Sequence, residues 1–335
     1  NRAKSACGLI SNLTDLYSFL AIGLSMNEKT SSVSSDWLNE LKQHASEHKL
    51  SAAGLALGLF AVLILLAQSI VHLSNSPSSE NLKLALIGGT AGFVATTLGA
   101  LPALLLRSLP QAMEDSLLGI AAGMMLAASA FSLLLPGIEA GTELFQSDSL
   151  GALIVVFGMA LGVLLMLGLD AFTPHEHDKT GPCGPGYQAC DRIWLFVFAI
   201  ALHNLPEGMA VGVSFANGDM SVGLPLATAI ALQDIPEGLA VALSLRAAGF
   251  KAGFAVFVAA ASGMLEPVGA LIGVGLSSGF AAAYPMGLGL AAGAMIFVVS
   301  HEVIPETHRN GHQTAATLGL MAGFAVMMVL DTTLG

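Results

Sequence analysis

The amino-acid sequence predicts an all-α integral membrane protein, and three observations support this fold class. First, 54% of the 335 residues are hydrophobic, only 10% are charged, and the mean hydropathy is +0.75, outside the range of soluble domains. Second, nine apolar stretches each approach the roughly 20 residues that a helix needs to cross a bilayer. Third, the 38 glycines suit helices that pack closely in lipid, and the alternating strands of a membrane β-barrel are missing from the sequence pattern.

The predicted elements begin with a polar, serine-rich tail over residues 1–50, which we expect to be cytosolic and partly disordered. An extra N-terminal transmembrane helix follows at 51–73, and a domain of eight helices occupies 84–334. Every span is assigned on the same ground, an apolar run long enough to cross the bilayer. The eight spans of the domain are predicted at 84–106, 113–134, 150–171, 193–215, 222–246, 252–273, 283–304 and 313–334.

Lysine and arginine fall almost entirely on one side of these nine spans. If the N-terminus is in the cytosol, eleven of the 12 basic residues lie in cytosolic segments and only Lys83 lies outside. The cytosolic set is Arg2, Lys4, Lys29, Lys42, Lys49, Arg107, Lys179, Arg192, Arg246, Lys251 and Arg309. Because cytosolic loops of membrane proteins carry the excess positive charge, we predict a multi-pass protein of the plasma (inner) membrane. Its N-terminus would be cytosolic and its C-terminus outside.

The loop at 172–192 is therefore predicted to be cytosolic, and it contains an H-x-H pair, His175 and His177. Such a pair is a common low-affinity metal feature, but a solvated polar loop explains it equally well. The net charge of −11 excludes a nucleic-acid partner in practice. It is compatible with a protein that handles cations.

Two related motifs place polar residues in the middle of apolar spans. HNLPEG at 203–208 and QDIPEG at 233–238 each lie near the middle of a span, and Glu266 lies past the middle of the next one. Ionisable groups at such depth cost several kcal/mol unless they are paired, hydrated or bound to an ion. We interpret these residues as a functional site within the membrane.

The spacing within the motifs predicts two neighbouring ligand clusters. On a helix, residues three and four apart share a face, so each motif glutamate lies beside the two polar residues that open its motif. If the two helices pack together, the glutamates belong to both clusters. One cluster would contain His203, Glu207, Gln233 and Glu237, and the other Asn204, Glu207, Asp234, Glu237 and Glu266. The four carboxylates carry a formal charge of −4, which two divalent cations would neutralise.

The prolines and the repetition of the motif indicate a transport protein. Pro206 and Pro236 lack the N–H that a helix interior requires, so we expect both helices to kink and to leave free carbonyls at the midplane. The two spans run in opposite directions, so the same motif at the middle of each predicts a pseudo-twofold axis in the membrane plane. Inverted repeats of this kind are typical of secondary transporters.

The paired motifs resemble the signature of the ZIP (Zrt-, Irt-like protein) divalent metal transporters, especially the prokaryotic members. The resemblance covers about residues 50–335 and includes GMMLAASAFSLLLPG at 123–137 and SHEVIPETH at 300–308. It implies a bundle of eight conserved helices, with an extra N-terminal span as in some bacterial members, that works as a homodimer. It also implies that divalent metal ions enter the cytosol as one helix bundle slides against the other.

The resemblance further implies a binuclear site made of the polar residues above together with Met125. A thioether is a soft ligand and favours Zn²⁺ or Cd²⁺ over Mg²⁺ or Ca²⁺. We therefore expect Zn²⁺ as the substrate, with Cd²⁺ as the alternative and Fe²⁺ or Mn²⁺ as further candidates. Gln233 stands where many eukaryotic members have histidine, which leaves the metal preference open.

Two peripheral sets of residues complete the expected path. On the outer side, Ser132, Glu139 and Asp331 are candidate entrance residues; Asp331 resembles a family entrance residue, and a solvated helix end explains it equally well. On the inner side, the candidate cytosolic exit residues are His175, His177, His301 and Glu302, of which the last two resemble family exit ligands. Asp170 at the inner end of its span is also explained as a simple helix-end charge.

Other functions fit the sequence less well. An intramembrane metalloprotease would need H-E-x-x-H, with both histidines on one helical face, but Pro305 occupies the position of the second histidine, so we predict that the chain is not an enzyme. A metal exporter is disfavoured because known exporter families carry H-x-x-x-D pairs without paired P-E-G motifs. A metal-gated membrane sensor or channel is the alternative to a carrier, and the sequence discriminates poorly between them.

Overall fold

The computed structural model describes residues 79–172, 175–177, 181–183, 192–277 and 280–335, together with scattered positions between 45 and 67. These residues are helical apart from one short hairpin and the connecting turns, which confirms the predicted all-α class. Seven of the described helical segments are long and apolar enough to cross a membrane. The helices are α1 (Ser79–Ala100), α2 (Gln111–Ala128), α3 (Leu135–Phe145), α4 (Asp148–Phe172), α5 (Arg192–Phe215), α6 (Met220–Ala247), α7 (Ala252–Gly263), α8 (Leu265–Ser277), α9 (Ala283–Val298), α10 (Ile304–His308) and α11 (Gln313–Leu334).

Several of these helices are joined into longer segments. A 3₁₀ turn, Leu101–Leu104, extends α1. A π-helical turn at Ser129–Leu134 connects α2 to α3, and a second one at Val299–Val303 connects α9 to α10. By contrast, α7 and α8 are separated by a single non-helical residue, Met264.

The segment formed by α2 and α3 extends further than its apolar run predicts. The predicted span ends at residue 134, whereas the helix continues to Phe145. Pro136 does not end it, because it lies in the first turn of α3, where a proline that lacks its N–H is tolerated. The extra turns carry Glu139 beyond the apolar run, on the predicted outer side.

The two motif helices are continuous through the prolines at which the sequence predicts kinks; the kink angles themselves stay predictions. Both α5 and α6 remain helical through their prolines, Pro206 and Pro236. Among the described helices that carry the buried polar residues (α5, α6 and the α7–α8 segment), the helix is interrupted only at Met264, two residues before Glu266. The polar residues of each motif therefore keep their helical spacing.

The helices pack in pairs that have the symmetry of an inverted repeat. The most extensive pairings are α1 with α6 and α5 with α8 in one group, and α2 with α11 and α4 with α9 in a second group. The two halves correspond if α1 is matched with α7 and α8, α2 and α3 with α9 and α10, α4 with α11, and α5 with α6. The pair α1–α6 then corresponds to the pair α8–α5, and α2–α11 corresponds to α9–α4. Glycines permit the close approach: a Cβ on Gly208 would collide with the backbone of Glu266, and one on Gly158 with that of Met286.

Part of the predicted organisation lies outside the described residues. This applies to nearly all of the 1–50 tail and to most of the loop at 172–192. Of that loop the structure describes the backbone of a hairpin in which β1 (His175–His177) pairs antiparallel with β2 (Gly181–Cys183). Within the predicted 51–73 span, the described positions are helical, and Leu55 packs against Gly168 of α4.

Candidate functional site

Seven polar residues from three helices come together in the middle of the helix bundle. They are His203, Asn204 and Glu207 on α5, Gln233, Asp234 and Glu237 on α6, and Glu266 on α8. We call this set the midplane cluster. Each of the seven is at most 5% exposed. Since helical spacing keeps residues three and four apart on one face, α5 and α6 both turn their motif residues toward the interior.

Glu266 reaches the cluster from the beginning of a helix. One turn residue, Met264, separates α7 from α8, and α8 starts at Leu265, which puts Glu266 in its first turn. A helix N-terminus carries partial positive charge that favours a nearby carboxylate. The interruption between α7 and α8 thus lies just before Glu266, the carboxylate that joins Glu207, Asp234 and Glu237.

The carboxylates are close enough to share a cation. Glu207, Asp234 and Glu237 each offer an oxygen, and these three atoms all lie within 4.8 Å of one another. Two oxygens bound to the same zinc ion lie at most about 4 Å apart, because each Zn–O bond is about 2 Å long. Only a small adjustment of side chains is needed to bring the three oxygens onto one ion.

A hydrogen bond crosses between the two motif helices. The Gln233 amide Nε2 donates to Glu207 Oε1 over 2.6 Å. This contact fixes one oxygen of Glu207 and leaves the amide oxygen of Gln233 turned elsewhere. It also ties the two helices together at the level of their motifs.

Several buried polar atoms of the cluster have no hydrogen-bond partner among the described residues. They are Asn204 Nδ2, Glu207 Oε2, Gln233 Oε1, Asp234 Oδ2, Glu237 Oε1 and Glu266 Oε2. Buried polar groups are almost always satisfied in native structures, and leaving one unsatisfied costs about 1–3 kcal/mol. Five unsatisfied oxygens, on four carboxylates and one amide, are the type of ligand atom that divalent cations bind in proteins.

Met125 lies on α2, outside the group of helices that carries the carboxylates. Its side chain is fully buried in the same hydrophobic cluster as Ala210 of α5 and Ile230 of α6. The thioether is therefore buried in the interior, and its place beside the midplane cluster stays a prediction.

On the predicted outer side, the three candidate entrance residues line one cavity of about 350 Å³. The hydroxyl of Ser132 donates to Asp331 Oδ1 over 2.6 Å, which links the π-helical turn after α2 to the end of α11. Glu139 is exposed on the same wall, and Glu143 and Asp219 add two more carboxylates to the lining. The structure thus brings together Ser132, Glu139 and Asp331.

On the predicted inner side, three candidate ligands form a second group, which we call the inner trio. Asp170, His301 and Glu302 each offer a ligand atom within 4.8 Å of the others. His301 Nε2 lies 3.7 Å from Asp170 Oδ2. The side chains of the other two predicted exit residues, His175 and His177, lie outside the described part of the structure.

Three residues near these sites escape notice in the sequence. Thr96 and Gly92 of α1 contact the carboxylates of the midplane cluster, but threonine and glycine are ordinary in membrane helices. Asp115 of α2 is buried and binds the side chains of Gln111, Asn310 and His312 at the inner end. At the edge of an apolar run, an aspartate has no sequence signal that distinguishes it from a solvated helix-end charge.

Comparison with known proteins connects this arrangement to one family. A family model described as "ZIP Zinc transporter" matches residues 173–331. The chain is 59% identical over 305 residues to the zinc transporter ZIPB of Bordetella bronchiseptica, an alignment that covers 91% of this chain and 99% of the relative. It is 44% identical over 250 residues to the zinc transporter GufA of Myxococcus xanthus, covering 75% and 97%. The zinc transporter ZupT of Corynebacterium glutamicum is 34% identical over 247 residues, covering 70% and 93%.

Proposed function

The chain belongs to the ZIP family of zinc transporters, and on that premise we propose that it carries Zn²⁺ across the membrane into the cytosol through the midplane cluster. It is a transporter and not an enzyme. The observation that carries the proposal is the set of four buried carboxylates with unsatisfied oxygens on three membrane helices. Relatives named as zinc transporters favour a carrier over a metal-gated sensor or channel.

We infer that the cluster holds two metal ions as substrate. The first position would use His203, Glu207, Gln233 and Glu237, and the second Asn204, Glu207, Asp234, Glu237 and Glu266. Glu207 and Glu237 serve both positions, so two divalent cations are matched by four carboxylates. The short distances among the oxygens of Glu207, Asp234 and Glu237 support this sharing.

The choice of metal follows from the donor set. Carboxylates, an imidazole and amide oxygens accept many divalent cations, whereas the thioether of Met125 favours soft ones. Zn²⁺ is the proposed physiological substrate, Cd²⁺ a second substrate, and Fe²⁺ or Mn²⁺ weaker ones. Met125 contributes from the opposite helix group, so it completes the site only when the two groups are in register.

The route of the ion would run from the outer cavity to the inner trio. Ser132, Glu139 and Asp331 collect cations at the outer side, and Asp170, His301 and Glu302 receive them at the inner side. His175 and His177 of the cytosolic loop would act after the inner trio. All six described residues of the route belong to α2–α4 and α9–α11, whereas every carboxylate of the midplane cluster belongs to the other helix group.

This division supports transport by a sliding motion. If the helix group with the carboxylates moves along the membrane normal relative to the other group, the bound ions pass from the outer cavity toward the inner trio. The glycine-mediated pairs keep each group intact during the movement. Proline kinks at the midplane are not required for this mechanism.

The remaining features of the proposal concern the whole assembly. Residues 84–334 form the transporter domain of eight spans, 51–73 an additional span, and 1–50 a cytosolic tail. The protein would lie in the plasma (inner) membrane as a homodimer, with its N-terminus inside. The lipid bilayer and divalent cations are its proposed partners.

The direct test is flux into proteoliposomes that contain a zinc-sensitive dye. Wild type should show saturable Zn²⁺ entry, and Glu237→Ala should show none, because this residue serves both metal positions. Asp148→Ala, at an exposed helix end, serves as the control and should transport like wild type. Full Zn²⁺ flux in folded Glu237→Ala would overturn the binuclear midplane site, and absence of flux in wild type would overturn zinc transport itself.

A further inference from the structure

The backbone of α1 lies directly against two carboxylates of the midplane cluster. A Cβ placed on Gly92 would overlap Glu266 Oε2, and it would lie 2.8 Å from Glu266 Cδ and 2.9 Å from Asp234 Oδ2. Any side chain at this position would therefore displace both acids. The absence of a side chain at Gly92 leaves the room that Glu266 Oε2 occupies, close to Asp234 Oδ2.

One turn further along α1, a buried hydroxyl holds the other oxygen of Glu266. Thr96 Oγ1 lies 3.0 Å from Glu266 Oε1 and 3.2 Å from the carbonyl oxygen of Gly92. Its single proton serves one acceptor at a time, and a carboxylate is the stronger one. With Oε1 held by Thr96, Oε2 is directed toward Gly92.

The orientation of Thr96 is itself fixed by packing. The residue is 2% exposed. A Cβ on Gly238 of α6 would collide with the backbone of Thr96, and one on Gly263 of α7 would lie 3.0 Å from its Cβ. A β-branched side chain already has few χ1 rotamers, so contacts on both sides leave the hydroxyl little freedom. Thr96 therefore acts as a rigid support.

We propose that Gly92 and Thr96 belong to the metal-binding machinery as a fourth wall supplied by α1. Thr96 is a positioning residue for Glu266, and Gly92 leaves room for the carboxylate of Glu266 to lie beside Asp234. Among the described residues no donor group reaches Glu266 Oε2 or Asp234 Oδ2, and two carboxyl groups hydrogen-bond to each other only when one carries a proton. The ligand of these two oxygens is a small divalent cation. This assignment rests on the zinc transport proposed above.

The contribution of Thr96 is tested by zinc binding to the purified full-length protein in detergent. A chelating dye in competition gives the number of bound Zn²⁺ ions and the affinity of each. Thr96→Val keeps the shape of the side chain but removes the hydroxyl. We expect it to lower the affinity for one of the two bound ions by about 10- to 100-fold, as loss of a supporting hydrogen bond does at other metal sites. Thr96→Ser keeps the hydroxyl and should bind both ions as wild type does.

The adjacent threonine provides a matched control. Within the described part of the structure, Thr97 Oγ1 donates only to the carbonyl of Phe93 in its own helix, over 2.8 Å. Thr97→Val should therefore bind both ions with wild-type affinity. Unchanged affinities in Thr96→Val would overturn the positioning role. So would equal weakening in Thr96→Ser and Thr96→Val, because the hydroxyl would then not be the cause.

The contribution of Gly92 is tested in the same assay. Gly92→Ala should lose the ion beside Glu266, whereas Gly253→Ala, where an added Cβ meets nothing within 4 Å, should keep both. Wild-type binding by Gly92→Ala would show that ion binding does not need the room that Gly92 leaves for Glu266. If the wild-type protein binds no Zn²⁺, the proposed function fails as well. If wild type binds both ions and the α1 variants do too, only the present inference fails.

Discussion

Met125 is the residue whose role depends most on its chemistry, since its burial alone would also suit a core side chain. It is 1% exposed, and its sulfur is a soft ligand that binds Cd²⁺ better than hard oxygen donors do. We predict that Met125→Ala lowers the ratio of Cd²⁺ to Zn²⁺ uptake. If the sulfur contributes about 1.4 kcal/mol more to Cd²⁺ than to Zn²⁺, the ratio falls about tenfold.

The neighbouring residue separates ligation from packing in that experiment. Met124 is 3% exposed and belongs to the same hydrophobic cluster, so Met124→Ala removes a similar volume without removing the proposed ligand. Uptake of both metals is measured by competition in proteoliposomes. If the ratio of Cd²⁺ to Zn²⁺ uptake falls equally in both variants, or if it falls in neither, Met125 is not a ligand of the site.

The buried hydrogen bonds of Asp115 should stabilise the inner end of α2. It is 1% exposed. Its Oδ1 accepts from Gln111 Nε2 at 3.1 Å and from Asn310 Nδ2 at 3.2 Å, and its Oδ2 lies 3.0 Å from His312 Nδ1. Asp115→Ala leaves these groups without their acceptor, and we expect a loss of about 1–3 kcal/mol in the free energy of unfolding.

Denaturant unfolding of the purified protein in mixed micelles measures that loss. The control is Asp148→Ala, an exposed residue in the first turn of α4, where loss of the helix-end charge costs at most about 1 kcal/mol. Equal stability of the two variants would mean that the network around Asp115 does not tie the inner ends of α2 and α11 together.

At the residue scale, the sequence predicts those site residues whose polarity contrasts with the apolar span around them. His203, Glu207 and Asp234 stand out because charged or strongly polar groups are rare in apolar spans, and helical spacing then assigns them to one face. Thr96 and Gly92 do not stand out, because their roles depend on which helix packs beside Glu266. That contact joins residues 170 positions apart, and no local pattern encodes it.

Two helix segments share an unusual construction at opposite ends of the molecule. In each, a π-helical turn is followed by a proline: Ser132 lies four residues before Pro136, and His301 lies four residues before Pro305. Both residues meet an aspartate at the end of the helix paired with their own segment, Asp331 and Asp170 respectively. The outer and inner polar groups are therefore counterparts in the inverted repeat, and π-helical turns are frequent at functional sites.

The glycines between paired helices predict which substitutions the elements tolerate. On α9, a Cβ added to Gly293 would overlap the backbone of Met159 in α4. We expect Gly293→Ala to lower the free energy of unfolding by about 1–3 kcal/mol, the usual effect of overpacking. At Gly253 of α7 an added Cβ meets nothing within 4 Å, so Gly253→Ala should be neutral or stabilising by up to about 1 kcal/mol through helix propensity.

Unfolding in mixed micelles, with zinc absent, tests this contrast without involving transport. If Gly293→Ala is as stable as Gly253→Ala, the α4–α9 contact is loose, and the proposal that this group moves as one body loses its support. A drop confined to Gly293→Ala would mean that the close contact of these helices is required for their stability.

At the element scale, the lengths of apolar runs predict the spans well and their continuation poorly. The starts and ends of α4, α5, α6 and α11 lie within a few residues of the predicted boundaries. The extension to Phe145 and the two π-helical turns were not predicted. A polar helical end has no hydropathy signal, and proline is tolerated in the first turn after such a bend. The break at Met264 likewise has no clear sequence signal beyond the Glu266-Pro267 pair that follows it.

At the scale of the whole molecule, the positions of basic residues and the packing of the helices agree on which ends lie together. The turn at Asn217 and the outer cavity share one end, since Asn217 lines that cavity with Asp331. The turn around Lys251 lies at the other end of α6, beside Arg246. Positive charge in cytosolic loops then predicts that Asn217 faces outside and Lys251 faces the cytosol.

Labelling of single cysteines in intact cells tests this orientation. In a variant without Cys7, Cys183 and Cys190, Asn217→Cys should react with a membrane-impermeant maleimide added outside, because the position is exposed at the outer end. Lys251→Cys is also exposed but should react only after the membrane is permeabilised. The reverse pattern would place the outer cavity in the cytosol, and the same cluster would then carry Zn²⁺ with the entrance and exit roles exchanged. Orientation thus decides which of two pseudo-symmetric ends receives the metal first, a question that the nearly symmetric helix packing leaves to the asymmetric distribution of charge.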